Sequence, residues 1–153
     1  MQVLEHKIPP PVVTLLFAVM MWLLSISESS LALALPWRTT IAILLWTAGS
    51  VIAVAGLLEF RRAKTTVNPL NPEAATAIVS SGIYRFSRNP MYLGLLFALI
   101  GWAVWLSHLL AFALIPLFVL YLNRFQIEPE ERVLTAKFGG QFRDYARSVR
   151  RWV

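Results

Sequence analysis

From Thr39 to Leu58 the chain runs for about twenty residues without a charge, the length a helix needs to cross a hydrocarbon layer about 30 Å thick. Inside lipid every backbone N–H and C=O must be satisfied within the segment, so such a stretch has to be helical. It stops at Glu59, Arg61, Arg62 and Lys64. Three more apolar runs share its character: Val12 to Ile26, Met91 to Leu106 and Leu109 to Leu122. With 58% hydrophobic and 14% charged residues, the chain departs from soluble composition in the direction of an integral membrane protein. The expected fold is an all-α integral membrane helical bundle of about four transmembrane helices, followed by a cytoplasmic amphipathic helix near the C-terminus. At 153 residues it is read as one domain, with membrane helices and a loop over 1–81 and a hairpin plus final helix over 82–153.

The first run follows Pro9, Pro10 and Pro11, which suit a helix start because proline lacks the N–H that a first turn leaves unused. The polar patch Ser25 to Ser30, with Glu28, ends it, and Leu31 to Trp37 is expected at the outer interface. A signal-peptide reading exists in Lys7, the apolar core and Ala32-Leu33-Ala34. Glu5 and the prolines weaken its basic leader, and three further passes follow. After Lys64, the pairs Asn68-Pro69 and Asn71-Pro72 predict turns.

The net charge of +6 is accounted for by the bilayer rather than by nucleic acid. Thirteen of the fourteen basic residues fall in the N-terminal tail, the central loop and the C-terminal tail, leaving Arg38 on the opposite side. This is the positive-inside asymmetry, so both termini and the central loop are expected in the cytoplasm. The chain has no cysteine, which excludes disulfides, thiolate metal sites and a cysteine nucleophile. With only His6 and His108, far apart, no metal site is expected.

The chemistry concentrates at Gly82-Ile-Tyr-Arg-Phe-Ser-Arg-Asn-Pro-Met-Tyr-Leu-Gly94, where an arginine-bearing loop turns into an apolar hairpin. Asn89 can cap the helix and Pro90 suits its first turn. Free N–H groups there, with Arg85 and Arg88 beside them, would favour an anionic group. Gly94, Ala98 and Gly101 place small residues where another helix can approach closely. Past Leu122 the second hairpin helix is expected to continue through Asn123, Arg124, Phe125 and Gln126 to Glu128-Pro129-Glu130-Glu131. The acids have two readings here. They favour a helix N-terminus and pair with Arg124 and Arg132 at i,i+4 spacing, or they receive a cation or hydroxyls from a ligand. Leu134, Phe138, Phe142, Tyr145 and Val149 then recur as one stripe with basic residues between them, broken at Gly139-Gly140.

In order and spacing, Gly82-Ile83-Tyr84-Arg85, Arg88-Asn89-Pro90-Met91-Tyr92-Leu93-Gly94, the hairpin and Glu130-Glu131-Arg132-Val133-Leu134 with Phe138-Gly139, Phe142, Tyr145 and Val149 resemble the isoprenylcysteine carboxyl methyltransferase and phospholipid methyltransferase family. The resemblance covers Gly82 to Val153. It implies methyl transfer from S-adenosylmethionine to a lipophilic acceptor, a prenylated cysteine carboxylate or a phospholipid amine, at the cytoplasmic membrane face. It implies cofactor contacts from Tyr84, Arg88, Asn89, Pro90, Tyr92, Gly94, Glu130 and Glu131, with Glu131 and Arg124 orienting cofactor or acceptor. The family's histidine is Asn89 in this chain. Asparagine donates and accepts hydrogen bonds but does not titrate near neutral pH, so a cofactor contact survives where proton transfer does not. Arg150 stands where the family often has proline. A nicotinamide-dependent membrane reductase, for which no Gly-x-Gly-x-x-Gly fingerprint is present, and a non-catalytic protein retaining the fold are the rival readings.

Overall fold

The structure is a computed structural model that describes residues 8–27, 31–64 and 75–153. The readings made on Glu5, His6, Lys7, Glu28, Asn68-Pro69 and Asn71-Pro72 lie outside the described residues. Among those described, the architecture is helical throughout: α1 is Pro10–Ser27, α2 Arg38–Arg62, α3 Pro90–Leu106, α4 Leu109–Leu122, α5 Glu128–Phe138 and α6 Gly140–Ser148. A short 3₁₀ turn, Gly82–Arg85, precedes α3.

Among the described residues, three stretches are long and apolar enough to cross a membrane: Pro10–Ser27, Arg38–Arg62 and Leu109–Phe138. The last is one rod, because α4 passes into α5 through a single widened turn at Asn123–Ile127, closed by Glu128 N–H on the carbonyl of Asn123. Pro129 supplies a cause. It has no N–H to continue the ladder and its ring would strike the carbonyl four residues back, so the turn opens instead. Leu109–Phe138 has 30 residues and so runs about 45 Å, against a hydrocarbon layer of about 30 Å. The apolar part ends at Leu122, and the acids from Glu128 onward follow it in the same rod.

The helices alternate in direction. Phe17 of α1 meets Phe118 and Tyr121 of α4, and Gln126 donates to the carbonyl of Ile8, so α1 runs antiparallel to α4. Along the α2–α3 crossing, Gly56 faces Pro90 and Met91 while Trp46 faces Gly101, again antiparallel. At the far end, Leu33 N–H donates to the Ser107 carbonyl, seating the segment before α2 beside the hairpin turn. Arg38 sits at that end, and every other described Lys and Arg sits at or beyond the opposite one. The core is where α1, α3 and α4 meet, at Met21, Leu99, Ala103, Ala111, Phe118 and Leu122. Leu15, Leu44, Val51 and Leu120 lie exposed on the outer faces, as lipid-facing residues do.

Gly94, Ala98 and Gly101 of α3 face α2. Gly94 lies against Gly49, so that a Cβ on Gly94 would come within 2.6 Å of the Gly49 carbonyl oxygen. The Ala98 carbonyl accepts the Trp46 indole N–H at 3.0 Å, and a Cβ on Gly101 would fall 2.7 Å from that same nitrogen. This contact fixes where the C-terminal end of α2 stands relative to the start of α3.

Candidate active site

The first wall of the site is set by an acid at the end of an apolar helix. Glu59 is buried at the C-terminal end of α2, accepts from Arg62 Nη1 at 2.6 Å and takes the hydroxyl hydrogen bond of Ser81. The next residue, Gly82, has φ +55, and any Cβ there would lie 2.6 Å from the Glu59 carboxyl carbon. Only glycine adopts that backbone cheaply against so close a neighbour. The loop therefore leaves α2 at a fixed angle and delivers Tyr84 inward, where it is buried edge-on against Phe60 at 5.3 Å. Tyr145 of α6 donates to the Tyr84 carbonyl at 2.8 Å. Burial raises the Tyr84 phenol far above its usual range and that of Tyr145 to about 12, so both remain protonated donors.

The second wall is the start of α3. Asn89 occupies the cap position, yet its side chain makes no cap bond, which corrects the expectation from sequence. Its backbone carbonyl accepts from Leu93 N–H, while its side-chain Nδ2 is drawn to the carbonyl of Arg151 at 3.0 Å. Arg88 is also committed inward. It donates through Nη1 to the Ala146 carbonyl and through Nη2 to Glu131 Oε1, both at 2.7 Å, and its Nε is buried with no acceptor among the described residues.

The two adjacent acids of α5 have different surroundings. Glu131 is held by two guanidiniums, since Arg151 Nη2 reaches its other oxygen at 2.7 Å and Arg151 Nε donates at 3.2 Å. Glu130 is approached by the Tyr92 hydroxyl at 3.1 Å. Burial pushes its carboxyl up to about 7; the Tyr92 hydrogen bond pulls the other way and the nearby Glu131 charge adds to the rise.

Tyr84, Arg88, Asn89, Tyr92, Glu130 and Glu131 line one cleft, together with an apolar wall that includes Ile78, Val79, Met91 and Leu134. Its enclosed volume is about 80 Å³, room for a handful of waters, so a nucleoside-sized ligand must extend through the mouth or spread the walls. Pro90 is buried at the start of α3, behind this lining. Two residues singled out in the sequence lie elsewhere. Gly94 is in the α2–α3 crossing. The Arg124 guanidinium lies 3.7 Å from Glu128 and over the Phe125 ring, outside the cleft. Among the described residues no three His, Asp or Glu side chains gather as metal ligands would.

Residues 37–141 match the sequence profile of the phospholipid methyltransferase family. The chain belongs to this family. Within it, the chain is 28% identical over 113 residues to protein-S-isoprenylcysteine O-methyltransferase A of Arabidopsis thaliana, covering 74% of this chain and 57% of that one. The chain thus spans little more than half the length of that relative. It is also 46% identical over 63 residues to an uncharacterized protein of Haemophilus influenzae, covering 41% of this chain and all of that one. No solved structure matches. For a phospholipid methyltransferase family member, the site includes residues that the sequence did not assign to it: Glu59, Phe60 and Arg151, together with Tyr145, which the sequence placed only in the C-terminal stripe and family motif. Glu59 carried one signal, a carboxylate closing an apolar helix, but it reads equally as the end of a membrane span.

Proposed function

We propose that this chain transfers the methyl group of S-adenosylmethionine to a lipophilic acceptor at the cytoplasmic face of a membrane, with four crossings, α3 included, and both termini on the cytoplasmic side. The observation that carries the reading is Glu130, a half-buried carboxylate held, among the described residues, by a tyrosine in a cleft rimmed by aromatic rings. That donor set suits a cationic ligand. The residues fit the cofactor in a second respect, because the orphaned Arg88 Nε is a buried donor that a carboxylate would satisfy. Arg88, Asn89, Tyr84 and Tyr92 are proposed to hold the cofactor, and Glu131 to keep Arg88 and the turn before α3 in place. Arg124, directed at Glu128, is left to orient an acceptor at the outer rim.

The cofactor supplies an activated methyl carbon, whose bond to sulfur breaks as the bond to the nucleophile forms, leaving a neutral thioether. The protein's part is to align the nucleophile, exclude water and match charge. An amine acceptor fits this cleft better than a carboxylate. Arg88 and Arg151 are already paired with Glu131, whereas Glu130, with a carboxyl titrating near 7, can take the proton that an amine must lose before it attacks.

Equilibrium binding of labelled S-adenosylmethionine to detergent-solubilised protein tests this, with Glu130→Gln and a nicotinamide nucleotide for comparison. Saturable binding, weakened about tenfold by Glu130→Gln in folded protein, is the expected result. Folded protein that binds nicotinamide nucleotide and not S-adenosylmethionine would be a reductase; binding of neither would leave a non-catalytic role.

A further inference from the structure

The segment Arg150–Trp152, after α6, returns to the mouth of the cleft and is tied there at four points. Arg88 N–H donates to the Arg150 carbonyl and Asn89 Nδ2 to the Arg151 carbonyl, each at 3.0 Å. The Arg151 side chain straddles Glu131. The Trp152 indole N–H donates to Asn123 Oδ1 at 3.0 Å, and its ring packs on the core. These ties span the start of α3, the acids of α5 and the widened turn between α4 and α5.

The consequence falls on Asn89. An amide side chain carries donors on nitrogen and an acceptor on oxygen, and a backbone carbonyl can only accept. Docked against the Arg151 carbonyl, Asn89 must direct Nδ2 toward the segment, which leaves Oδ1, beside the second Nδ2 hydrogen, as the acceptor it can offer to the cleft it lines. With Glu130 nearby, the cleft presents two acceptors to its ligand.

We propose that Arg151 is a positioning residue of this site: through its grip on Glu131 and its own carbonyl it fixes Asn89 as an acceptor for a donor group of the ligand, an ammonium or hydroxyls. The inference rests on the cofactor reading above. S-adenosylmethionine binds tightly only when this segment is docked.

Arg151→Ala and Trp152→Phe, compared with wild type in nanodiscs, test it by amide exchange over residues 86–92 and by S-adenosylmethionine affinity. Both variants are expected to speed exchange of the Arg88–Asn89 turn, and Arg151→Ala to weaken the cofactor about tenfold. Asn89→Ala is expected to weaken binding about tenfold in wild type and less than twofold in the Arg151→Ala background, because the segment acts through that side chain. A contribution to stability alone would give additive losses. Trp152→Phe keeps its ring in the core, so if Arg151→Ala does not fold, Trp152→Phe and Arg151→Lys decide by the same readouts. Unchanged exchange, wild-type affinity in the folded variants, or additive losses would each overturn the inference. Absence of binding by the wild type overturns the cofactor reading and this inference with it, whereas wild-type binding that the variants preserve overturns the inference alone.

Discussion

The α2–α3 crossing joins the fold to the cleft, and Gly94→Ala tests it. The new Cβ would sit 2.6 Å from the Gly49 carbonyl oxygen and 2.8 Å from Ala53 Cβ. Ordinary contact begins near 3.4 Å, so the helices must separate by 3.4 − 2.6 = 0.8 Å along this line. A gap of about that size forfeits a quarter to a half of each dispersion contact across the crossing. Overpacking of this kind costs about 1–3 kcal/mol, against about 1 kcal/mol regained because alanine suits a helix better than glycine. The net expectation is a loss of up to about 2 kcal/mol, about 1 kcal/mol at the middle of that range, or a melting point lower by up to about 8 °C in detergent. Gly140→Ala is the control, since nothing lies within 4 Å of that position. Because α2 brings Glu59 and Phe60 to the cleft and α3 brings Asn89 and Tyr92, the displacement should also weaken cofactor binding. Gly49→Ala, whose Cβ would meet the Gly94 carbonyl at 2.7 Å, is expected to cost less in the double variant than alone, the helices having already parted. A Gly94→Ala protein more stable than wild type by about 1 kcal/mol would refute the reasoning, because the gain in helix propensity would then face no opposing clash.

Gly82→Ala, forced to φ +55 against Glu59, is expected to lose about 1–3 kcal/mol in thermal unfolding and to loosen Tyr84, read as faster amide exchange across the 3₁₀ turn. Arg88→Gln leaves Glu131 with Arg151 alone; a loss of about 2–3 kcal/mol is expected by thermal unfolding. Glu130 has a carboxyl pKa of about 7 in the fold against 4.5 as the ordinary value, so the folded state favours its proton and that stability is lost as pH rises from 4.5 to 7. Glu130→Gln, which does not titrate, should therefore gain on wild type in melting temperature between pH 5 and pH 8, and an unchanged difference would contradict the burial of this carboxyl. Ionised Glu130 is also the form that attracts a cation, so S-adenosylmethionine affinity is expected to rise from pH 6 to pH 8 in wild type and to stay flat in Glu130→Gln.

The helices were legible in the sequence because lipid leaves a backbone no alternative to helix, and uncharged runs of sufficient length announce it. The small residues of α3 were legible for a related reason: without a hydrophobic force between helices in lipid, close contact needs Gly and Ala. The roles of the two adjacent acids were not. Successive residues on a helix point about 100° apart, so Glu131 turns to Arg88 and Arg151 while Glu130 turns to Tyr92 and the cleft. A linear motif names the pair without saying which member meets guanidiniums. The widened turn at Asn123–Ile127 adds to the difficulty by shifting the phase of everything before it relative to α5. Arg124, to which the family resemblance attaches an orienting role, instead meets Glu128, the i,i+4 partner that its spacing offers, and the Phe125 ring.

Asn89 shows why local rules fail at the site itself. A short polar side chain before Pro90 reads as a helix cap, and the backbone there does take the cap position. The side chain goes instead to the Arg151 carbonyl, 62 residues away in sequence. Pro90 has no N–H, so the first turn has fewer donors for a cap to satisfy, while the Arg151 carbonyl, held close by the clamp on Glu131, needs one. The partner that decides the orientation of Asn89 is thus supplied by a distant segment through a backbone atom, which every residue type possesses. No residue pattern around Asn89 could have announced it, yet that contact selects which end of the amide meets a ligand. The polarity of this cleft is consequently a property of the closed fold, set where α3, α5 and the segment after α6 meet.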